Sequence, residues 1–357
     1  MKILITHERF PPSFYGGGER VVYELAKRLK LKGHDIAVLT TGNPKIKEFD
    51  GIPTTRMPMH RYLMNLAVPW IYKHAKDVDL IQTNNYNACL PSLIAGKLLG
   101  KPVVSLVHAL WADKWLEMRG FLAGNISRLV EQIQLSRSYN KIIFFSNFAR
   151  DEGLKLGILK ELTEVIPLGI DYGKYQARTK ENFVLFVGRL AKQKGIDYPI
   201  QAANELPDIK FEVAGTGEEE KRIKSCLPEN VELLGFVPHE QLVDLYARAP
   251  ILCLPSVAET FGLVILEAMA SGCAIVSTVP LDYEGVKINY GNTEQLKEAL
   301  RFLYDNREVS LKMGRVNREK AKDYTWDNFI EKLIHVYEEV IISHAHKKAT
   351  RRECQGR

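Results

Sequence analysis

PSVAETFGLVILEAMASGCAIV, Pro255 to Val276, follows the apolar run ILCL and ends in a second one, AIV. Pro-Ser after ILCL reads as a turn. GLVILEAMAS reads as a helix, with Leu263, Leu266 and Ala270 on an apolar stripe at helical spacing. Gly262 stands where the loop ends and Gly272 where the helix stops. The unit is strand, loop, helix, strand, the repeating piece of a parallel α/β sheet.

Two carboxylates lie in this unit, Glu259 and Glu267, eight positions apart. On one continuous helix that separation is a rise of about 12 Å, too far for a shared site. With Glu259 in the loop and Glu267 in the second turn, both can face the crevice at the carboxyl end of the sheet, where open α/β folds bind ligands. The backbone N–H groups of Thr260, Phe261 and Gly262 would point there too, at the positive end of the helix dipole. The implied ligand has hydroxyls for the carboxylates and a phosphate for the helix start. Taken singly, each glutamate reads more simply as a solvated helix residue or a cap-like loop acid.

The pattern as a whole, P-S-x-x-E-x-F-G-L-x-x-x-E-A-M-A-x-G, resembles the donor-site signature of the family 4 retaining glycosyltransferases. The resemblance implies the GT-B fold: two Rossmann-like α/β domains facing a cleft, with a C-terminal helix crossing back to the N-terminal domain. It extends over residues 1 to about 343 and implies an N-terminal acceptor-side domain over 1–172, a donor domain over 183–322 and a crossover helix over 323–343.

Size and composition agree with such a protein. The chain has 357 residues, 46% hydrophobic and 26% charged, enough for two domains. No apolar run approaches about 18 residues, so no spanning helix is expected, and MKILIT opens as a strand rather than a signal peptide. The five cysteines are scattered with no C-x-x-C pair, which argues against a disulfide or metal framework and fits a reducing cytoplasm. A net charge of +6 permits anionic substrates or an anionic membrane surface. No basic motif interleaved with aromatics points to nucleic acid.

In the first half, KILIT, a loop carrying Gly16 to Gly18, the amphipathic ERVVYELAKRLKLKGHD and IAVLTT form a βαβ unit whose helix start suits an anion. The glycines do not match the dinucleotide fingerprint. By resemblance, the G-G-x-E-R segment lies against donor phosphates or acceptor, which brings in Gly17 and Gly18. Residues 56–76 mix apolar, aromatic and basic side chains, readable as a lipid-facing amphipathic surface or as a core helix with a basic outer face, with a break at Pro69. Asp77-Val78-Asp79 copies the D-x-D metal motif of a different fold, but it precedes a strand and so lies at the wrong edge of the sheet for a ligand. VVSLVHALW places His108 at a strand's carboxyl end, where imidazole can donate to a sugar hydroxyl or exchange protons near neutral pH; the family has a cleft histidine there. Asp113 and Lys114 are nearby acceptor-side candidates, and Ser146 is placed to cap the helix after KIIFF. In VIPLGID, Leu168 stands where the family has asparagine, and ARTKEN, residues 177–182, reads as the interdomain linker.

In the second half, FVLFVGRLAKQKGID ends a strand at Gly188 and sets Arg189 and Lys194 in the following loop. One forked and one point-like cation suit a pyrophosphate, and G-R-L-x-x-x-K-G resembles the family's pyrophosphate clamp. The resemblance also lays the nucleotide base along the turn Gly235, Phe236 and Val237. It implies that Glu267 holds ribose hydroxyls and Glu259 those of the sugar. The segment Pro280 to Gly285 departs from the family pattern, and residues 344–357 read as a disordered basic tail.

The expected activity is transfer, with retention, of a sugar from a UDP- or GDP-sugar to a glycan, lipid or small-molecule acceptor. Arg189 and Lys194 would replace a metal, so no metal or resident cofactor is expected; the nucleotide sugar is a co-substrate. The expected location is the cytoplasm, with peripheral contact to the inner face of a membrane. A nucleotide-sugar epimerase of the same fold and a non-catalytic nucleotide- or glycan-binding subunit are the competing readings.

Overall fold

The computed structural model describes residues 1–12, 16–257 and 259–355. The chain divides into two compact units, Met1–Pro167 with Phe329–Arg357, and Leu168–Asn328.

The first unit is built on strands β1 (Lys2–Thr6), β2 (Asp35–Thr41), β3 (Glu48–Phe49), β4 (Ile52–Met57), β5 (Leu80–Asn84), β6 (Val103–Val107), β7 (Lys141–Phe144) and β8 (Thr163–Val165). They lie in the order β3-β4-β2-β1-β5-β6-β7-β8. Only the short β3–β4 pair is antiparallel. Helices α1 (Gly17–Leu31), α2 (Val68–His74), α3 (Cys89–Leu99), α4 (Lys114–Leu135) and α5 (Asn147–Lys155) connect the strands. β1 and β6 are mostly apolar and, with β5, buried along nearly their whole length, as a sheet covered on both faces requires. The chain runs outward from β1 in one direction through β2 and β4, then returns to start β5 on the other side. This reversal makes the β1/β5 boundary the topological switch point. Ser146 Oγ accepts from Ala149 N at 3.1 Å and so caps α5 as its sequence position suggests. Pro69 sits in the first turn of α2, just after a 3-10 turn over Arg61–Leu66.

The second unit repeats the scheme with β9 (Phe183–Val187), β10 (Lys210–Ala214), β11 (Val231–Gly235), β12 (Ile251–Leu254), β13 (Ala274–Ser277) and β14 (Gly285–Lys287). The order is β11-β10-β9-β12-β13-β14, with every pair parallel and the switch point between β9 and β12. Its helices are α6 (Asp197–Glu205), α7 (Glu220–Lys224), α8 (His239–Arg248), α9 (Leu263–Ala270), α10 (Thr293–Asp305) and α11 (Arg307–Ala321).

Two local expectations meet a different structure. Residues 177–182, read as a linker, pack within the second unit: Lys180 is buried, and its ammonium donates to Ser271 O at 2.7 Å and Tyr246 O at 3.2 Å. The division falls earlier, after Pro167. The final helix, α12, runs Trp326–Gln355, so the tail expected to be disordered from residue 344 is helical through Gln355. The reason is visible in sequence and packing. HAHKKATRRECQ contains no glycine or proline to stop a helix, and His344 still docks on the first unit, its Nε2 lying 3.0 Å from Gly100 O. Earlier in α12, the Tyr337 hydroxyl donates to Gln82 Oε1 of β5 at 2.7 Å. The divergent segment before β14 is firmly packed. Tyr283 is buried and donates to Ser277 O at 2.9 Å, Asn317 Oδ1 accepts from Glu284 N at 2.6 Å, and Lys320 pairs with Asp282 and Glu284. No helix of the described residues is long and apolar enough to cross a membrane.

Candidate active site

In the second unit the polar residues gather at the carboxyl ends of β9 and β12, on the two sides of the switch point. After β9 the chain exposes Arg189 and then forms a single turn, Lys192–Lys194. Gly195 ends that turn at φ +67°, and a Cβ there would come within 2.0 Å of Pro255 O. Glycine is therefore what lets this turn lie flat against the loop after β12. Val257 N donates to Gln193 O at 3.0 Å and locks the two loops together. As a result the Lys194 ammonium forms an ion pair with Glu259 Oε1, with both side chains mostly buried. Ser256 Oγ lies 3.4 Å from the same oxygen, and Thr278 Oγ1 donates to Ser256 O at 2.5 Å, fixing the loop to the end of β13.

Thr260 and Phe261 are buried, the Phe261 ring packing 5.9 Å from that of Tyr324. Gly262, at φ +82°, turns the chain into α9 in a conformation that favours glycine. Glu267, in the second turn of α9, is only 3% exposed, and its Oε2 accepts from the Tyr246 hydroxyl at 3.0 Å. That burial removes the simple reading of Glu267 as a solvated helix residue. Gly235 ends β11, and Phe236 and Val237 follow it on the same edge of the sheet, with the Phe236 ring 76% exposed.

The first unit has its own cluster at the β1/β5 switch point. His7 follows β1, Asn84 ends β5 and His108 follows β6. His108 Nε2 is 2.6 Å from Asn84 Oδ1, while Asn84 Nδ2 donates to Thr6 O at 2.9 Å. With the amide so oriented, Nε2 carries the proton and donates it. Asn85 Oδ1 accepts from His108 N at 2.8 Å. The His7 and His108 rings are 5.7 Å apart, and His108 meets Phe145 edge-on at 5.2 Å. Burial, with the other imidazole adding a smaller push, lowers His108 to about 3, and burial lowers His7 to about 4. Both imidazoles are therefore neutral at neutral pH. This corrects the expectation that His108 exchanges protons near neutral pH: its position suits a neutral hydrogen-bonding role. Gly17 opens α1 with open space around its α-carbon, and a Cβ on Gly18 would point at His108 Nδ1 from 4.0 Å. Asp113 forms an ion pair with Arg128 at 2.5 Å on the surface. Asp79 accepts from Lys2 N at 2.7 Å at the amino end of the sheet, the structural turn its position implied. Leu168 is buried.

The structure thus brings Lys194 and Glu259 together, with Arg189 on the same strand end, and Gly18 and His108 together in the other unit. His7, Asn84 and Tyr246 were not singled out from sequence. The first two stand at strand ends by the same logic that picked His108, so the signal for them was present. Tyr246 is recognisable only once α8 is seen to place it against α9.

Two doubly wound units with these strand orders, a cation–carboxylate pair at one switch point and paired imidazoles at the other make this a GT-B chain. Residues 171–320 match the family described as Glycosyl transferases group 1, and residues 15–174 match Glycosyltransferase Family 4. The chain belongs to the GT-B glycosyltransferases of the family 4 type and is a glycosyltransferase. It is 27% identical to an uncharacterized glycosyltransferase of Methanocaldococcus jannaschii, over 95% of this chain and 99% of that one. Among solved structures it is similar to sucrose-phosphate synthase from Thermosynechococcus elongatus, with TM-score 0.82 and 18% identity over 96% of this chain and 99% of that one. It is also similar to Anabaena HepE in complex with UDP-glucose, with TM-score 0.78 and 21% identity over 95% and 100% of the two chains.

Proposed function

We propose that this chain transfers a sugar, with retention at the anomeric carbon and without a metal, from a UDP- or GDP-sugar to a glycan, lipid or small-molecule acceptor. The observation that carries the reading is the Lys194–Glu259 pair beside Arg189 at the second switch point, where an anion and a hydroxylated group would lie next to each other. Arg189 and Lys194 take the diphosphate and neutralise the charge that develops as its oxygen leaves the anomeric carbon. The acceptor hydroxyl attacks the same face and its proton passes to the departing phosphate oxygen. The backbone of Thr260, Phe261 and Gly262 at the start of α9 adds to the phosphate site. Glu259 holds sugar hydroxyls. Glu267 holds the ribose, its carboxylate oriented by Tyr246. Gly235 and Val237 line the base, with Phe236 exposed beside it. On the first unit, neutral His108 hydrogen-bonds a sugar hydroxyl, and Gly17 and Gly18 let phosphate or acceptor approach the start of α1. The UDP-glucose bound to Anabaena HepE makes a UDP-hexose the first donor to try.

A thermal-shift panel of nucleotide sugars tests this. A true donor at a hundred times its dissociation constant stabilises the fold by about 2.7 kcal/mol. A panel in which no nucleoside diphosphate and no nucleotide sugar raises the melting temperature would overturn the reading. Release of nucleoside diphosphate should require acceptor, as an epimerase would not. Turnover should survive EDTA; loss that Mg²⁺ restores would refute the metal-free assignment.

A further inference from the structure

Asn84 closes β5 at the first switch point, fully buried, and its amide is bound on both sides. The Thr6 carbonyl can only accept, so the group that faces it at 2.9 Å is the NH2. The amide carbonyl therefore faces His108 Nε2 at 2.6 Å, and the imidazole has to supply the hydrogen. Turning the amide over would set two acceptors against each other at Thr6. Thr6 is pinned in turn through its hydroxyl, 2.8 Å from both Thr83 Oγ1 and Ser92 Oγ.

The histidine is held as firmly as its partner. Asn85 Oδ1 accepts from His108 N at 2.8 Å, and Asn85 Nδ2 donates to Ala109 O at 2.5 Å. Beyond them, Trp111 N and Ala112 N donate at 3.0 and 2.7 Å to Glu131, which α4 turns inward while Phe121 and Leu122 face out. Around the ring stand His7 after β1, Phe145 after β7 and Gly18 of α1, none of them acidic. Of the acids on the neighbouring segments, Glu19 lies in the field of Arg9 and Arg61, and Glu8 pairs with Arg61 at 3.8 Å.

A neutral imidazole with its hydrogen on Nε2 can only accept at Nδ1. Nδ1 is the atom toward Gly18, where a Cβ would stand 4.0 Å away. A hydroxyl can donate to it. The oxygens of a diphosphate or a carboxylate only accept, and would meet it lone pair against lone pair. We propose that Asn84 is a positioning residue that sets the tautomer of His108, and through it makes this side of the site admit a sugar hydroxyl and refuse an anionic oxygen. The proposal rests on the sugar-hydroxyl role of His108. It also narrows what the start of α1 can bring against that ring to the hydroxylated ligand, not the phosphate.

Nitrogen NMR of the full chain carrying isotope-labelled histidine tests it, with His108 assigned by the signals lost in His108→Gln. The parent should show Nε2 protonated and Nδ1 bare at neutral pH. Asn84→Ala removes the acceptor for Nε2–H, and a population with the hydrogen on Nδ1 should appear. Asn84→Asp keeps an acceptor but sets a charge beside the ring, so His108 should titrate about 1–3 pH units higher than in the parent. Below that new midpoint Nδ1–H donates. Sulfate, an anion with no hydrogen to give, should then shift the His108 nitrogens of Asn84→Asp and leave those of the parent in place. A merely structural Asn84 would lower the melting temperature of both variants and move neither tautomer nor midpoint. Hydrogen on Nδ1 in the parent would overturn the proposal, a result that needs no variant to fold. So would His108 signals unchanged by both substitutions, or sulfate shifts equal in the parent and Asn84→Asp. UDP and UDP-glucose thermal shifts on the same samples keep the donor reading separate: no stabilisation by either, with the tautomer as stated, would count against the donor site and not against Asn84.

Discussion

Glu259→Gln gives the sharpest test of how the second switch point works, because its two effects should have opposite signs. Glu259 and a bound diphosphate compete for one ammonium, that of Lys194. The pair is partly screened, with side-chain exposures of 29% and 17%, so its net value is about 0.5–1 kcal/mol. Glutamine keeps the shape and an acceptor for Ser256 but removes the charge. Lys194 is then released to the diphosphate, and free nucleoside diphosphate should bind about two- to fivefold tighter. Transfer should fall, because the charged hydrogen bond to the sugar is lost, by about 1.5–3 kcal/mol, or roughly ten- to 150-fold. Calorimetry with UDP and GDP gives the first number. Nucleoside diphosphate release from the donor chosen by thermal shift gives the second. If Glu259→Gln weakened diphosphate binding as much as Lys194→Ala, the carboxylate would be supporting the phosphate site and not the sugar.

Arg189→Ala and Lys194→Ala should each weaken diphosphate binding by ~1.5–3 kcal/mol; unchanged affinity in both would remove the clamp. Glu267→Gln should weaken nucleoside diphosphate and nucleotide sugar alike, and Tyr246→Phe, which strips a hydrogen bond from the buried carboxylate, should lower stability by about 1–3 kcal/mol; unaltered UDP affinity in Glu267→Gln would sink the ribose assignment. His7 and His108 have folded values lowered to about 4 and about 3, below the ordinary imidazole value of 6.5. As pH falls below about 6.5 the unfolded chain takes up their protons first, so the stability they contribute is present above that pH and lost toward pH 4, at about 1.4 kcal/mol per pH unit for each imidazole. His7→Gln and His108→Gln should flatten the melting-temperature profile between pH 6.5 and 4; profiles parallel to the parent would contradict the burial account.

Much of the architecture was legible in the chain because it is local. Apolar runs such as KILIT, VVSLV and FVLFV have no other use than buried parallel strands, and β1, β6 and β9 fall on them. Strand ends then announce sites, which is how Arg189, Lys194, Glu259 and His108 could be named. The tertiary structure alone decided the rest, for reasons of distance and environment. Lys194 and Glu259 are 65 residues apart and become partners because Gly195 tolerates a backbone approach that no pattern in the sequence spells out. The charge state of His108 depends on the burial of its ring beside His7, 101 residues away, and so cannot be read from its place in VVSLVHALW. The polarity of α4 likewise reverses only because Tyr86 and the 111–112 backbone bind Glu131 from elsewhere in the fold. Pairings between remote side chains and the desolvation of single groups are set by the packed chain as a whole, and local sequence carries no record of them.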